Sequence, residues 1–202
     1  MIPQLLLAIF VLLGAYLLGS IPFGLVLSRA VAGVDVRGVG SGNIGATNVV
    51  RAAGKRVGTA TLLLDVAKSA LPVYLALLFT RGSEGSDWWV IGVGLAAFAG
   101  HLLPVWIGFK GGKGVATGLG IFLVLSPVGA LLSMVSFVAV YASTRLVSLS
   151  SMVGTVVCAG GAIVRYGPSN PISWGAAIVG CSIIARHRSN IARLLKGTEK
   201  RV

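Results

Sequence analysis

The residues best suited to chemistry stand together at Gly40-Ser41-Gly42-Asn43-Ile44-Gly45-Ala46-Thr47-Asn48, with Arg51 close behind. Gly40, Gly42 and Gly45 let the backbone turn tightly and bring N–H groups near a ligand. Ser41, Asn43, Thr47 and Asn48 add neutral hydrogen-bonding groups, and Arg51 adds a planar, permanently charged fork suited to phosphate. A helix can start at Ala46, which would place the loop on a helix N-terminus, where anions bind readily. The plainer reading is a flexible loop between two membrane helices, because glycine-rich loops are common.

Two more basic stretches carry similar parts. Phe109-Lys110-Gly111-Gly112-Lys113-Gly114 has the glycines and lysines of a phosphate loop, but lacks the Gly-x4-Gly-Lys-Ser/Thr order of a nucleotide-binding loop. Alone, it reads as an interfacial basic turn. Arg186-His187-Arg188-Ser189-Asn190 reads alone as an anchor against anionic lipid. Together these stretches could hold a small phosphorylated substrate. A phosphate dianion beside hydrocarbon needs several cations, which Arg51, Lys110, Lys113, Arg186 and Arg188 can supply. Ser148, Ser150 and Ser151 could cap a helix start. Asp65 and Lys68 stand at i,i+3 spacing in an apolar run, as a functional pair or as mutual neutralisation. His101 precedes Pro104 and could bond a carbonyl that the proline frees. Asp35 could orient Arg37 or the loop backbone.

The rest of the chain must position these groups from within a bilayer. Of 202 residues, 55% are hydrophobic and only 11% charged, against roughly a quarter charged in a soluble domain. Mean hydropathy is +0.92. The net charge of +12 would suggest nucleic acid in a soluble protein, but here the cations flank apolar runs, as bilayer orientation requires. Cys158 and Cys181 fall inside such runs, which argues against a disulfide or zinc framework.

The runs long enough to cross, or nearly so, are 3–28, 59–80, 88–108, 128–144, 149–164 and 172–185, with a short one at 115–125. The first has no basic n-region and is too long for a signal peptide, so it reads as a retained span. The loop 81–87, with Arg81, Glu84 and Asp87, separates the second and third runs, and a Trp88-Trp89 pair opens the third at the interface. If 115–125 crosses, the loops 29–58, 109–114 and 145–148 share one face with the basic tail, and the opposite face keeps only Arg81 and Arg165. The positive-inside rule favours that arrangement. The expected fold is an all-α polytopic integral membrane protein of about seven transmembrane helices, N-terminus outside and C-terminus cytoplasmic. Its polar motif loops face the cytoplasm, and residues 1–202 form a single transmembrane domain.

Paired carboxylates, a zinc-ligand cluster and a Gly-x-Ser-x-Gly elbow are missing from the sequence. No acid follows His101 within a turn, so a local His–Asp dyad cannot be drawn, and His187 is the only other histidine.

Three groups of residues nevertheless resemble a known family. They are Gly19-Ser20-Ile21-Pro22-Phe23-Gly24 with the Gly40–Asn48 loop and Arg51; Gly100-His101 with Pro104 and the Gly108–Gly114 loop; and Ser148-Leu149-Ser150 with Arg186-His187-Arg188, Asn190 and Leu194-Leu195-Lys196-Gly197-Thr198-Glu199. In this order, over nearly the whole chain, they are similar to the bacterial acyl-phosphate:glycerol-3-phosphate acyltransferases, the PlsY family. Ser189 departs from the pattern, standing where the family usually has Glu, which should alter local pairing with the neighbouring arginines.

The resemblance implies a multi-pass enzyme of the bacterial cytoplasmic (inner) membrane, the whole chain forming one acyltransferase domain. It would move a fatty acyl group from acyl phosphate to the 1-hydroxyl of glycerol 3-phosphate, giving lysophosphatidate and phosphate, the first step of phospholipid synthesis. It implies no cofactor, no metal and no nucleic-acid partner; the partners are the two substrates and the bilayer. The catalytic set would be Ser41, Arg51, Lys113 and His187. Substrate would be bound by Gly40, Gly42, Asn43, Gly45, Thr47, Asn48, Lys110, Gly112, Ser148, Arg188, Asn190 and Glu199. The proton acceptor would be an oxygen of the acyl phosphate, with His187 as the rival. Two readings from the residues alone stay open beside the enzyme: a carrier for a phosphorylated metabolite, and a lipid-binding scaffold. A carrier would usually show inverted repeats or matched broken helices, and neither is legible.

Overall fold

The computed structural model describes residues 2–80, 83 and 85–201. The expected loop cations and acids Arg81 and Glu84 lie outside them. The described residues hold nine α-helices and no strand: α1 (Ile2–Ser20), α2 (Phe23–Ala32), α3 (Ala46–Thr80), α4 (Ser86–Leu102), α5 (Val115–Leu125), α6 (Pro127–Thr144), α7 (Val147–Tyr166), α8 (Pro171–Arg186) and α9 (Arg188–Leu195). Five stretches are long and apolar enough to cross a membrane: Gln4–Ala32, Ala46–Thr80, Ser86–Ile107, Pro127–Thr144 and Val147–Tyr166. Val115–Leu125 and Pro171–Arg186 are shorter apolar helices. Along α6, Val128, Leu131, Val135 and Val138 are exposed on one helical face. Such a stripe is stable only against lipid or another apolar surface.

Several element boundaries differ from those expected. The first apolar run is not one helix, because the chain breaks at Ile21–Pro22 and resumes as α2 to Ala32. Pro22 has no N–H to continue the ladder, and the residue before a proline is pushed out of the α region. The helix after the organising loop starts at Ala46, well before residue 59, and turns sharply at Gly54, whose φ of 86° suits glycine. The third run stops being α-helical at Leu102, before Pro104, and continues through a 3-10 turn at Val105–Ile107. Ser148, Ser150 and Ser151 are not caps: they lie inside α7, whose N-cap is Leu146, and Ser150 Oγ donates back to the Leu146 carbonyl at 2.9 Å.

Chain contacts divide the molecule into two compact units, Met1–Ile121 and Phe122–Val202. In the first, α1 packs on α4 through small residues: a Cβ on Gly19 would strike the Ala97 backbone, and one on Gly100 the Tyr16 carbonyl. Close backbone approach of this kind is how helices associate where no hydrophobic effect drives them. A separate cluster of Leu25, Val36, Ile44, Val49 and Val57 lies under the Gly40–Asn48 segment. Ile44 is thereby the apolar peg that seats an otherwise polar loop. In the second unit α6 and α7 pair closely: a Cβ on Gly161 would come within 3.2 Å of the Gly129 Cα.

Candidate active site

The first cluster is built around Asn48, which is 2% exposed. Its Oδ1 accepts the Ser41 N–H at 3.0 Å, and its Nδ2 donates to the carbonyls of Val36, Val39 and Asn43, each at 2.9 Å. One amide thus holds the start, middle and end of the loop. Asn43 Oδ1 accepts the Gly45 N–H at 2.9 Å, and the Gly45 carbonyl accepts the Asn48 and Val49 N–H groups, which begins α3. Gly40 and Gly42 have φ of 58° and 68°, conformations that a Cβ resists. With no side chain on Gly40, Arg51 Cδ comes within 3.6 Å of the point its Cβ would occupy. The guanidinium arm therefore starts beside the loop. Arg29 and Arg37 are engaged elsewhere: both close on Asp35, at 2.6 and 2.7 Å. Hydrogen bonds from Arg37, then from Arg29, hold the Asp35 carboxyl well below the usual carboxylate range. The expected Asp35–Arg37 contact is present, and it sets Arg51 apart as the cation beside this loop.

Three loop donors are spent internally. The N–H groups of Ser41 and Gly45 go to Asn48 and Asn43, and that of Gly42 goes to the Val39 carbonyl. Asn48 is the residue whose loop-organising role the sequence did not reveal. A buried amide six residues before the turn at Gly54 has no signature separating it from a ligand contact.

The second loop, 109–114, enters α5. Phe109 adopts a φ of 61°, left-handed for a non-glycine residue, and its N–H donates to the Pro104 carbonyl at 2.9 Å. Gly112 is buried and donates its N–H to the His101 carbonyl at 3.1 Å. Lys110 is exposed and Lys113 half-buried. An open apolar groove of about 390 Å³ is lined by Ile21, Pro22, Leu25, Val26, Trp106 and Ile107, with Arg29 also in its lining.

The third cluster belongs to the second unit. His187, 2% exposed, sits between α8 and α9, and its Nδ1 lies 2.8 Å from the Ile183 carbonyl. A carbonyl only accepts, so the ring donates through a proton on Nδ1. Glu199 gathers the remaining groups: Ser148 Oγ and Asn190 Nδ2 donate to Oε1 at 2.7 and 2.6 Å, and Arg193 Nε to Oε2 at 2.6 Å. A carboxylate cannot itself hold a phosphate, so Glu199 acts here as an intrachain tie that fixes Ser148 and Asn190. Arg193, absent from the expected site, is its charged partner, while Arg188 and Ser189 are exposed. Burial alone would raise the Glu199 pKa, but the donors Ser148, Asn190 and Arg193 outweigh it and lower the pKa. A depressed carboxylate pKa adds stability above the ordinary glutamate range, near about 4.3, and that contribution disappears as pH falls through the folded pKa. Glu199→Gln is therefore expected to lower the melting temperature more at pH 7 than at acidic pH, the difference shrinking as pH falls through the lowered folded pKa. A deficit equal at both pH values would contradict this.

The structure thus groups Gly40, Ser41, Asn43, Gly45, Asn48 and Arg51 around one hub, Gly112 and Lys113 behind His101, and Ser148, Asn190 and Glu199 around another. Thr47 is in the first turn of α3.

Comparison with known proteins identifies the family. A family model described as glycerol-3-phosphate acyltransferase matches residues 9–197. A glycerol-3-phosphate acyltransferase of Anaeromyxobacter dehalogenans (strain 2CP-1 / ATCC BAA-258) is 54% identical over 202 residues, covering 100% of both chains. One from Geobacter sulfurreducens is 48% identical, covering 93% of each, and one from Aquifex aeolicus 46%, covering 96% of this chain and 98% of its own. Among solved structures, PlsY (YgiH), an integral membrane glycerol 3-phosphate acyltransferase, superposes in its glycerol 3-phosphate form with a TM-score of 0.90 at 44% identity, over 96% of this chain and 95% of that one. Its lysophosphatidic acid form gives 0.87. With its all-helical membrane architecture and the three polar clusters in place, the chain belongs to the PlsY-type glycerol-3-phosphate acyltransferases.

Proposed function

We propose that the acyl donor is an acyl phosphate and that catalysis is substrate-assisted. The protein would work as a single acyltransferase domain in the bacterial inner membrane, with its motif loops toward the cytoplasm. The observation that carries the reading is the Asn48-held loop, which presents the start of α3 and the arm of Arg51 side by side. A helix start next to a guanidinium favours a phosphate dianion.

In this reading the acyl phosphate is held by the Thr47 hydroxyl and by the Ala46 and Thr47 N–H groups, because the N–H groups of Ser41, Gly42 and Gly45 bond within the loop. Asn43 shapes the turn that starts the helix. Arg51, Lys113, His187, Asn190 and Arg188 are assigned to glycerol 3-phosphate, with Ser41 near its phosphate or hydroxyls, Lys110 adding positive charge, and Ser148 and Glu199 fixing Asn190. The acyl tail is assigned to the apolar groove at Ile21, Leu25 and Trp106, which shares Leu25 with the core beneath the loop.

Acyl phosphate is a mixed anhydride, so its carbonyl is already activated and its leaving group needs little help. The 1-hydroxyl oxygen attacks the carbonyl carbon, and a carbon–oxygen bond forms as the bond to phosphate breaks. The hydroxyl proton passes to an oxygen of the departing phosphate, leaving hydrogen phosphate and 1-acylglycerol 3-phosphate. The protein contributes positioning and fixed positive charge.

His187→Gln tests the proton route, since glutamine keeps a hydrogen bond but accepts no proton. Substrate assistance predicts a raised KM for glycerol 3-phosphate with kcat kept within about tenfold of the parent. A kcat reduced by about 10²–10⁴ with glycerol 3-phosphate binding intact would make His187 the base.

A further inference from the structure

Beneath the second loop lies a buried polar cluster with no part in the reaction derived above. Asp65, Lys68 and His101 are each 2–3% exposed. Lys68 Nζ lies 2.8 Å from Asp65 Oδ1, and His101 Nδ1 is 3.8 Å from the same oxygen. Lys68 also donates to the Ile21 carbonyl at 2.9 Å and sits over the Phe23 ring. The ammonium thereby bonds a carbonyl at the break between α1 and α2. On the other side, His101 is the wall of the second loop. A Cβ on Gly112 would strike its imidazole, and one on Gly111 its carbonyl. The Gly112 N–H bonds that carbonyl.

A chain of contacts thus runs from the α1–α2 break through α3 and α4 to the residue that precedes Lys113. Three charged or ionisable side chains deep in an apolar unit are costly to bury, and apolar residues of similar size commonly replace such groups without loss of stability. Stability alone does not account for them. We infer that Asp65, Lys68 and His101 are positioning residues: they fix the His101 ring and carbonyl, and through Gly112 they set where Lys113 starts. The inference rests on the reading of Lys113 as a glycerol 3-phosphate contact.

The test is the double variant Asp65→Leu/Lys68→Met, which removes both charges together and leaves no buried ion unpaired. The Ile21 carbonyl still accepts the Phe23 N–H in this variant. Calorimetric titration with glycerol 3-phosphate reads the outcome without an acyl donor. The positioning role predicts a Kd raised about tenfold, the loss of one charge-assisted contact. The melting temperature should stay within a few degrees, and KM for the acyl donor should stay within about twofold, as for independent sites. An unchanged Kd in the folded variant overturns the inference, and so does an equal loss toward both substrates.

If the double variant does not accumulate, Gly112→Ala decides on the same criteria, because its methyl group pushes the ring directly and touches neither charge. A parent protein that binds glycerol 3-phosphate but accepts only a thioester donor would refute the donor reading and leave this test intact. Binding that survives Arg51→Ala but not Gly112→Ala would still support it.

Discussion

Arg51→Ala is expected to lower kcat/KM by about two to three orders of magnitude, the usual cost of deleting one fixed donor aimed at transition-state charge. The fold should hardly notice. Arg51 is exposed, near the start of α3, and its arm lies over Gly40 rather than in the buried core. The melting temperature should therefore move little while turnover falls. Arg51→Lys should recover only part of the loss, because an ammonium is a point charge and cannot grip two phosphate oxygens at once. Steady-state kinetics on the three proteins, with melting curves beside them, check this. Full recovery by lysine would mean that charge alone matters and that the planar fork does not.

Asn48→Asp is the second large effect, and its cause is different. The Nδ2 that now donates to Val36, Val39 and Asn43 would become an oxygen facing three carbonyl oxygens inside a site 2% exposed. An uncompensated buried charge costs about 3–5 kcal/mol, enough to open the loop or the first unit around it. Asn48→Ala removes the same bonds but adds no repulsion, so it should be the milder change in both melting temperature and activity. The order Asp worse than Ala is the diagnostic. If Asn48 instead contacted substrate through its Oδ1, Asp would keep that acceptor and be the milder change.

The contrast between these two residues shows how far the sequence could be read. Residue type and spacing marked the Gly40–Asn48 loop, and the start of α3 at Ala46 and both ends of α5 fall where the sequence placed them. These boundaries are legible because glycine, proline and charge interrupt an apolar pattern. Inside the pattern there is nothing to read. In residues 3–28 the break at Ile21–Pro22 was masked by the apolar runs before Gly19 and after Pro22, which let the stretch read as one span. The continuity of α3 from Ala46 past residue 59 was hidden for the opposite reason, because Arg51, Lys55 and Arg56 make 46–58 look like loop.

Roles were less legible than positions. An asparagine can face a ligand or its own backbone, and only folding shows that Asn48 faces Val36, Val39 and Asn43. Glu199 looked like a site residue by resemblance, and the structure shows it tying Ser148, Asn190 and Arg193 together. His101 lacks an acid within a turn in sequence, yet Asp65 reaches it from α3. Such a pairing is set by how helices pack, and no spacing rule along one helix contains it. By contrast, Asp65 and Lys68 were visible as a pair, because i,i+3 neighbours share a helix face whatever the fold.

The central claim is the donor. Purified protein given glycerol 3-phosphate with palmitoyl phosphate, beside a parallel reaction with palmitoyl-CoA, tests it most directly. The account predicts lysophosphatidate and inorganic phosphate in equal amounts from the acyl phosphate, and no product from the thioester. Lysophosphatidate formed from palmitoyl-CoA would contradict it.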